Sequence, residues 1–550
     1  MKIITDFNGT GLERIVASLK PELGVEPQPY GQFMQTIYEL TKTSYDGLVF
    51  LWVDFSSLST TYASALSFES YDRFKLDTDL NNYIHLITQI AARCKGVIVA
   101  NFVMPAHMQG SGLSNLSVGG PGLLLAELNL KLYQAVGALG NAWCLDQNRW
   151  FQSDNHYNGK LYHAGKIPFS QTVFRTCASD LIAAIDAIEG KSRKLLVLDL
   201  DDTLWGGILG DDGRENLKLG APGAIGEAFA QFQKEILTLK NRGIVLAIAS
   251  KNYEDTALDV IHNHPEMQLN ADDFSSWRIN WEDKAENIVS IAKELNLGLQ
   301  SVVFIDDNPS ERGRVAEALP DVFVPDWPKD PCEYVTALRK LTCFSVAYLS
   351  DEDRKKTDMM LQEKKRGEFK TNVTDKREWL SSLQMKVTLE DVNSDNVSRI
   401  VQLLNKTNQF NLRTRRLTQG ELERWLQEKN HYFFAIRISD RFGDMGLTGL
   451  VGLSVSQDMV VIEDFVLSCR VMGRNVERLM LNCAIRLAEA QGVSNVQVNY
   501  QKTTKNRPVF EFMKQEGIIT DEVFFGVTTS EHSKFDLDYF AVDDQRHADN

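Results

Sequence analysis

The sequence predicts an α/β protein made of three domains in series. Short apolar runs recur through the first two thirds of the 550-residue chain, each followed by a polar residue, as in buried strands of a parallel sheet. Helical patterns separate these runs, which is typical of alternating strand and helix folds. In the last third, longer strand-like runs follow one another closely and favour antiparallel pairing. At about 150 residues per domain, the length allows roughly three or four domains.

The composition excludes several classes of function. A net charge of -15 argues against nonspecific binding to nucleic acid or anionic membranes, because both require a basic surface. The start, Met1–Asp6, lacks the apolar run of a signal peptide, and no stretch reaches the roughly 18 apolar residues of a membrane helix. The cysteines are odd in number and form no Cys-x-x-Cys pair, which argues against a disulfide framework or zinc site and predicts a reducing, cytoplasmic compartment: Cys94, Cys144, Cys177, Cys332, Cys343, Cys469 and Cys483.

The first predicted domain spans residues 1–190, with buried strands at 48–54 and 96–101. Its candidate site residues follow predicted strands or lie near the domain's end: Asp6, Asn8, Asn101 and either Asp154 or His156. This spacing is similar to the SGNH-hydrolase fold, a flavodoxin-like parallel sheet, but the family's serine is missing where Asp6 and Asn8 stand. Without that hydroxyl no acyl-serine forms, so we expect no esterase activity. A degenerate, structural or docking domain and an unrecognised binding site both stay open.

The second predicted domain, residues 191–345, contains the most informative segment. Four apolar residues, 195–198, form a predicted strand that ends at Asp199, and Asp201 follows on the emerging loop. Ligands gather at the carboxyl ends of parallel strands, so both carboxylates are expected in one site. Their repulsion favours either a divalent cation between them or a proton on one of them. A surface loop whose aspartates cap the next helix is the alternative.

Two later strands end in polar residues as well. The run 243–249 ends at Ser250, the run 302–305 is followed by Asp306 and Asp307, and Lys284 begins a helical pattern between them. This order, Asp-x-Asp-x-Thr, Ser, Lys and Asp-Asp, resembles the haloacid dehalogenase superfamily, a Rossmann-like fold. The resemblance implies that Asp199 is the nucleophile and Asp201 the general acid and base. It also implies a phosphate site of Ser250, Lys251, Asn252 and Lys284, and a Mg²⁺ site of Asp199, Asp201 through its carbonyl, Asp306 and Asp307.

The segment after the Asp motif, Trp205–Gly213, is too short for a cap domain and predicts a flap hinged on glycines over an open cleft. Together with 306–312, it resembles the FkbH-like proteins, a glyceryl transferase/phosphatase branch (subfamily IIIC). That resemblance implies a phosphorylated substrate, 1,3-bisphosphoglycerate, whose glyceryl unit is loaded on an acyl carrier protein in polyketide or polysaccharide biosynthesis. Several carrier-loading members have cysteine where this chain has Leu200, so a thioester at that position is excluded.

Residues 346–382 predict a charged helical linker, because opposite charges recur at three- and four-residue spacing. The third predicted domain, 383–545, begins with a strand at 385–389 and a helix at 396–405. An antiparallel pair follows, at 432–438 and 447–456, and then a strand at 460–467.

A glycine-containing turn, Arg470–Asn475, leads from that last strand into a helix, and such a turn suits a pyrophosphate. The turn and the start of the late helix at 505–513 resemble the acyl-CoA N-acyltransferase (GNAT) fold, with Asn475 in place of its last small residue. The resemblance implies CoA or phosphopantetheine binding by Arg470, Gly473, Arg474, Asn475 and Asn506, and a structural remnant is the alternative. The segment 402–411 with Arg413, Arg415 and Arg416 is expected on the acceptor side.

Three functions therefore compete: glyceryl transfer to a carrier thiol coupled to dephosphorylation, a plain small-molecule phosphatase, and a non-catalytic assembly module. For the first, the thiol attacks the acyl phosphate directly or through a relay cysteine, for which Cys469 is the candidate because it adjoins the glycine turn.

Overall fold

The computed structural model describes residues 1–104, 112–152, 156–347, 366, 375–417, 419–456, 458–493, 495–503, 505–520, 523–524, 527–528 and 537–546. The chain forms two compact units, Met1–Glu189 with Thr418–Gly420, and Gly190–Leu417 with Glu421–Asn550. Among its described residues, the second unit holds a four-stranded sheet, a seven-stranded sheet and a short two-stranded pair. The domain boundaries placed on the sequence stay predictions. Most of the expected charged linker lies outside the described residues, which show its last part as a helix, Lys376–Ser382.

The first unit contains a parallel sheet in the order β1-β2-β3-β4: β1 Lys2–Thr5, β2 Tyr45–Trp52, β3 Cys94–Ala100 and β4 Ala142–Leu145. An isolated parallel bridge joins Lys2 to Glu26 at the outer edge of β1. With that segment counted as a rudimentary strand, the order is the flavodoxin-like one, 2-1-3-4-5.

Helices cover both faces of this sheet: α1 Thr10–Leu19, α2 Phe33–Leu40, α3 Phe55–Leu58, α4 Thr60–Leu66, α5 Arg73–Ala91, α6 Gly112–Asn115, α7 Pro121–Gly137, α8 Gly159–Gly165 and α9 Gln171–Ile188. Alternate strand residues explain the two layers, because Val49 and Leu51 pack towards α5 and α7 whereas Phe50 and Trp52 pack towards α1 and α9. The strands are therefore apolar on both faces, as their sequence predicts.

The first sheet of the second unit is also parallel, in the order β7-β6-β5-β8: β5 Leu195–Leu198, β6 Val245–Ser250, β7 Phe274–Ile279 and β8 Val302–Ile305. Its helices are α10 Leu209–Asp212, α11 Ala224–Asn241, α12 Glu254–Asn263, α13 Lys284–Glu294, α14 Pro309–Ala318 and α15 Tyr334–Lys340. Leu196 and Leu198 face a core shared with α11, and Leu195 and Val197 face one shared with α13. β5 is central, so the residue that follows it lies between the ends of β6 and β8.

The second sheet of this unit is mixed, in the order β16-β13-β12-β11-β10-β9-β17. Its strands, with the short pair β14 and β15, are β9 Lys386–Asp391, β10 His431–Asp440, β11 Gly443–Val455, β12 Val460–Leu467, β13 Asn495–Val498, β14 Ile519–Thr520, β15 Val523–Phe524, β16 Val527–Thr528 and β17 Ala541–Asp544. Strands β9 to β12 pair antiparallel, as expected, and β12 pairs with β13 in parallel.

Helices again cover both faces of the mixed sheet: α16 Lys376–Ser382, α17 Val397–Lys406, α18 Gln419–Leu426, α19 Val476–Ala490 and α20 Arg507–Gln515. Residues of α19 and α20 share one core with Ile462 and Phe465 of β12, and residues of α17 and α18 share another with Val466. An α/β fold is confirmed for the chain. Among the described residues, no helix has the length and apolar character needed to cross a membrane.

Candidate active site

The carboxyl ends of β5, β6 and β8 meet at one edge of their sheet. Leu198 lies opposite Ile248 on one side and Ile305 on the other, and the backbone N–H of Asp199 donates to the carbonyl of Ile305 at 3.0 Å. Ser250 is the last residue of β6, and Asp306 follows β8 directly. The register of the sheet therefore places these side chains next to each other, as the sequence pattern predicts.

Three carboxylates converge here, because oxygens of Asp199, Asp306 and Asp307 lie within 4.8 Å of one another. Lys284, the first residue of α13, is buried among them. Its Nζ lies 3.1 Å from Asp199 Oδ2 and 2.6 Å from Asp306 Oδ2. The ammonium joins the nucleophile candidate to the end of β8, which ties two strand ends together through charge.

The pKa values in this cluster follow from crowding. Burial, with the nearby charge of Asp199, raises the pKa of Asp306 to about 6. Burial together with the charges of Asp199 and Asp306 raises the pKa of Asp307 to about 7. For Lys284, burial works against the ammonium, but the charges of Asp199 and Asp306 outweigh it and raise its pKa. The cluster therefore has more negative charge than its single cation neutralises.

One oxygen of the cluster has no hydrogen-bond partner among the described residues. Asp199 Oδ1 is buried and unpaired, whereas Oδ2 of the same carboxylate contacts Lys284. A hard divalent cation takes oxygen ligands of this kind. The three carboxylates therefore fit a Mg²⁺ ion, because they are negatively charged, are oxygen ligands and include one oxygen, Asp199 Oδ1, that has no partner among the described residues.

The loop after β8 is held from two sides. Thr203 accepts the backbone N–H of Asp307 through its hydroxyl at 3.1 Å, and Arg312 Nη1 donates to the carbonyl oxygens of Asp306 and Asp307, both at 2.7 Å. Asn308 donates its backbone N–H to Asp306 Oδ1 at 2.9 Å. These contacts hold the backbone at both aspartates and one oxygen of the Asp306 carboxylate. Arg312 was part of the family resemblance but was not predicted as a site residue.

The carboxylate of Asp201 points to a different set of partners. Its Oδ1 accepts the indole N–H of Trp205 at 2.9 Å and the backbone N–H of Leu209 at 3.2 Å, and its Oδ2 accepts the amide of Asn252 at 3.0 Å. Burial raises its pKa, although these three donors act in the opposite direction. The side chain of Asp201 is therefore outside the carboxylate cluster, which leaves its backbone carbonyl as its predicted contribution to a metal site.

The predicted phosphate-binding residues do not all converge. Ser250 is buried at the end of β6, and its carbonyl accepts the backbone N–H of Asn280. The ammonium of Lys251 pairs instead with Glu311 at 2.7 Å, and Asn252 is bound to Asp201. Ser250 and Lys284 thus lie at the carboxylate edge, while Lys251 faces α14 and Asn252 positions Asp201. Trp205 was missed by the sequence reasoning, although its spacing of four residues from Asp201 was a signal.

The predicted flap is a short loop that folds back on itself. Gly206 and Lys218 form an antiparallel bridge, and Leu209 of α10 reaches Asp201 through its backbone N–H. Two exposed aromatic rings, Tyr253 and Trp281, come shortly after β6 and β7 and lie 5.7 Å apart. Since the loop is short and these rings are exposed, the described residues supply no cap domain over this edge.

In the first unit, Asp6 follows β1 directly, is partly buried, and accepts the hydroxyl of Ser57 at 2.5 Å and the backbone N–H of Asp54 at 3.2 Å. Burial raises the pKa of Asp6 to about 6. Asn101 is buried and accepts the backbone N–H of Gln147. The Ser57 hydroxyl reaches this edge from another segment, which the sequence did not predict.

Other candidates of the first unit lie elsewhere. The amide of Asn8 donates to the carbonyl of Gly165 at 3.2 Å, and the ring of His156 lies 5.8 Å from that of Phe151. Asp154 lies outside the described residues. The absence of esterase activity stays a prediction.

The glycine turn of the mixed sheet has internal partners for groups that were predicted to bind a pyrophosphate. The backbone N–H of Gly473 donates to the carboxylate of Glu477, which is buried in the first turn of α19. The amide of Asn475 donates to the hydroxyl of Tyr539 at 2.6 Å. The buried Arg474 contacts the sulfur of Met445 through Nη1. A carboxylate from the chain itself therefore occupies the place of an external anion.

The remaining predicted pantetheine contacts are also engaged. Asn506 is fully buried, and its amide donates to the carbonyl oxygens of Asn411 and Gln501 while its oxygen accepts the backbone N–H of Thr503. Arg470 Nε donates to the hydroxyl of Ser468 at 3.3 Å. The side chain of Cys469 lies outside the described residues. Hydrogen bonds within the fold engage these side chains, and CoA binding by them stays a prediction.

No protein-family model matches the chain, and no curated protein matches it either. Among solved structures, it is similar to the N-terminal part of the protein BF1531 from Bacteroides fragilis, which contains a phosphatase domain complexed with Mg. The two share 28% identity over 63% of this chain and 94% of that one, with a TM-score of 0.56.

Two acetyltransferases match a smaller part of the chain. The ribosomal-protein-S18-alanine N-acetyltransferase from Escherichia coli shares 10% identity over 24% of this chain and 76% of its own, with a TM-score of 0.19. Ard1 from Thermoplasma volcanium shares 14% identity over 24% and 84%, with a TM-score of 0.20. At TM-scores this low, neither similarity adds to the argument.

Proposed function

We propose that the chain is a Mg²⁺-dependent phosphatase of the haloacid dehalogenase type, with Asp199 as its nucleophile. The observation that carries the proposal is the cluster of three carboxylates around the buried ammonium of Lys284, at the carboxyl ends of β5 and β8. The similarity to a phosphatase domain crystallised with Mg supports it.

The residues that would hold Mg²⁺ are Asp199, Asp306 and Asp307, with the backbone carbonyl of Asp201. The chemistry that Mg²⁺ supplies when bound is neutralisation of charge between a phosphate and the attacking carboxylate. Lys284 gives a second positive charge from the protein itself, and Ser250 supplies a hydroxyl at the same edge.

Asp199 and Asp201 divide the reaction between them. An oxygen of Asp199 attacks phosphorus, the bond from phosphorus to the leaving oxygen breaks, and Asp201 gives its proton to that oxygen. Asp201 then takes a proton from water, whose oxygen attacks the aspartyl phosphate and releases inorganic phosphate. The raised pKa of Asp201 suits the first step, because burial helps it to hold the proton it must donate.

For the substrate, we propose a phosphorylated three-carbon acid of the 1,3-bisphosphoglycerate type, whose glyceryl group passes to the thiol of an acyl carrier protein. The FkbH-like motif pattern supports this choice, and the absence of a cap among the described residues leaves the edge accessible to a macromolecule. Since Leu200 is buried and has no thiol, the carrier thiol attacks the acyl carbon directly: the sulfur–carbon bond forms, the carbon–oxygen bond to the acyl phosphate breaks, and the thiol proton leaves with that phosphate. The second phosphate, an ester on the third carbon, is the one that Asp199 removes by attack on phosphorus and hydrolysis, so a glyceryl product free of phosphate requires Asp199.

A plain small-molecule phosphatase is the second candidate function. One observation favours it. The backbone N–H of Gly473 and the amide of Asn506, which were expected to bind CoA or phosphopantetheine, form hydrogen bonds within the fold to Glu477 and to the carbonyl of Asn411. A non-catalytic assembly module has less support, because such a module has no need for a buried lysine between two carboxylates.

The test is phosphate release with and without Mg²⁺, using wild type and Asp199→Asn. We expect a fall of at least about 1,000-fold in the variant, because the amide cannot act as the nucleophile. Asp272→Asn, at an exposed aspartate of the same unit, is the matched control and should keep wild-type rates. Equal rates for Asp199→Asn and wild type would contradict the proposal.

Intact-protein mass spectrometry of holo carrier protein, incubated with enzyme, Mg²⁺ and 1,3-bisphosphoglycerate, separates the two candidates. A glyceryl increment that disappears with Asp199→Asn supports transfer. Phosphate release with no acylated carrier supports the plain phosphatase.

A further inference from the structure

The mixed sheet contains a charged cluster built on an irregularity of β12. Gly452 lies opposite Asp464, but the next pair is Leu453 with Ile462, so Glu463 is the extra residue of a β-bulge. A bulge re-aims side chains, and here the hydroxyl of Ser454 reaches Glu463 at 3.1 Å while the Asp464 carboxylate passes over Gly452. Glu463 and Asp464 are therefore both brought to the face that α17 and α18 cover.

Two arginines from one short segment pair with these acids. Arg413 pairs with Glu463, and Arg415 pairs with Asp464, whose side chain is fully buried. The arginines and Glu463 stay partly exposed, with 17 to 26% of each side chain accessible. Asp464 thus forms the floor of a cluster whose upper part reaches solvent.

The segment that carries the arginines is fixed before any ligand arrives. Residues 410–412 lie between β12 and the chain after β13, since Leu467 donates to the carbonyl of Phe410 and Gln501 donates to that of Leu412. The side-chain oxygen of Asn411 accepts the backbone N–H groups of residues 413 and 414. The guanidinium of Arg415 also lies over the ring of Trp425, 5.2 Å from its centroid.

Three buried polar atoms of this cluster have no hydrogen-bond partner in the described part of the chain: Thr414 Oγ1, Arg415 Nε and Asp464 Oδ1. Arg415 Nε can only donate, and Asp464 Oδ1, in its ionised state, can only accept. A buried polar group that is left without a partner destabilises the fold, and a ligand that pairs with it removes that cost. The ion pair between Arg415 and Asp464 therefore leaves one donor and one acceptor unused.

We propose that this cluster, Arg413, Thr414, Arg415, Glu463 and Asp464, binds a small acid that carries a hydroxyl or ammonium group next to its carboxylate. The carboxylate accepts from Arg415, and the neighbouring hydroxyl or ammonium donates to Asp464. Because two arginines face two acids, the cluster attracts neither a simple anion nor a simple cation strongly. It selects a compact molecule that offers both a donor and an acceptor, a hydroxy acid or an amino acid.

This inference goes beyond the phosphatase proposal, because the cluster belongs to the other sheet of the unit. It also differs from the predicted CoA site, whose residues are occupied by internal contacts.

The test is isothermal titration calorimetry on the full chain with D-glycerate and with L-serine as probes. Propionate, which lacks the donor, and glycerol, which lacks the carboxylate, are the reference ligands. We expect at least one probe to bind about tenfold more tightly than both references, since a hydrogen bond to a charged group contributes about 1.5–3 kcal/mol. Binding of D-glycerate alone identifies a hydroxy-acid site, and binding of L-serine alone identifies an amino-acid site.

Variants test whether the binding heat measured by calorimetry comes from this cluster. Asp464→Asn and Arg415→Gln should each weaken binding by about tenfold or more. Arg507→Gln, at an exposed arginine of α20 that pairs with Glu511, should leave it unchanged. Asp199→Asn should also leave it unchanged, so failure of the phosphatase proposal and failure of this one are separate results.

Melting curves of each variant check that the fold is kept. If Arg415→Gln fails to fold, the conservative Arg415→Lys, which keeps the charge but lacks Nε, takes its place. Binding no tighter than that of propionate, or binding that survives both Asp464→Asn and the Arg415 variant, would overturn the proposal.

Discussion

Replacing Lys284 by methionine tests the charge balance of the carboxylate cluster directly. The Lys284 ammonium is buried, 3.1 Å from Asp199 and 2.6 Å from Asp306, so its removal leaves two buried carboxylates without their cation. Removing one partner of a buried ion pair costs about 3–5 kcal/mol. For a domain of about 150 residues, the size predicted for 191–345, about 2–4 °C per kcal/mol corresponds to a drop of roughly 6–20 °C in the melting temperature.

Mg²⁺ should restore much of this loss. A cation that binds only the folded state at a hundredfold excess over its dissociation constant adds about 2.7 kcal/mol of stability. The metal competes with the Lys284 ammonium in wild type but not in Lys284→Met, so it should stabilise the variant more. Differential scanning calorimetry of the full chain, with and without Mg²⁺, measures both quantities.

Lys240→Met is the matched control. Lys240 pairs with Asp273 at 2.6 Å, at the amino end of β7 rather than at the carboxyl ends of the strands, so its loss should not respond to Mg²⁺. If Lys284→Met has the same melting temperature as wild type in the absence of Mg²⁺, the Lys284 ammonium does not neutralise the buried carboxylates, and the metal-site reasoning is refuted.

Three further substitutions follow from the contacts. Trp205→Phe removes a hydrogen bond to the carboxylate of Asp201, so the pKa of Asp201 rises. The alkaline limb of the pH profile of kcat/KM for phosphate release should therefore move to higher pH. An unchanged limb argues against Asp201 as the acid. Arg312→Met frees the carbonyls of residues 306–307 and should weaken Mg²⁺ binding about tenfold by calorimetry. The pKa of Asp6 is about 6 when folded, above its unfolded value, so its ionisation destabilises the fold as pH rises through about 4 to 6. Asp6→Asn should therefore gain stability relative to wild type over that range in urea unfolding, and a pH-independent difference contradicts the buried carboxylate.

The carboxylates at the carboxyl ends of β5 and β8 could be predicted from the sequence because the pattern that indicates them is local. A run of four apolar residues that ends in Asp199 specifies a buried strand, and the rule that ligands gather at carboxyl ends gives the site. Asp306 follows the same pattern after β8. Lys284 was identified only through the family resemblance, since nothing in its local sequence places its ammonium between two carboxylates.

The contacts that the sequence reasoning missed join distant segments. Ser57 and Asp6 are separated by 51 residues, and each alone has an ordinary surrounding sequence. Residues 410–412 look like a loop, and only the fold shows that they lie beside β12. The β-bulge at Glu463 leaves no pattern in the sequence either, because it depends on the register with β11. In each case the pairing is set by packing of whole elements, which local periodicity does not encode.

The charges and hydrogen-bonding groups that each cluster leaves unpaired indicate what it can bind. Around Asp199, three carboxylates and one ammonium leave an excess of two negative charges when fully ionised, together with an unpaired oxygen, which matches a divalent cation. At the glycine turn, the carboxylate of Glu477 already satisfies the N–H of Gly473, so an external phosphate would have to displace it. At the bulge, the charges of the two arginines and two acids cancel. What remains there is the unused donor of Arg415 and the unused acceptor of Asp464, and a ligand with both kinds of group is the one that satisfies them together.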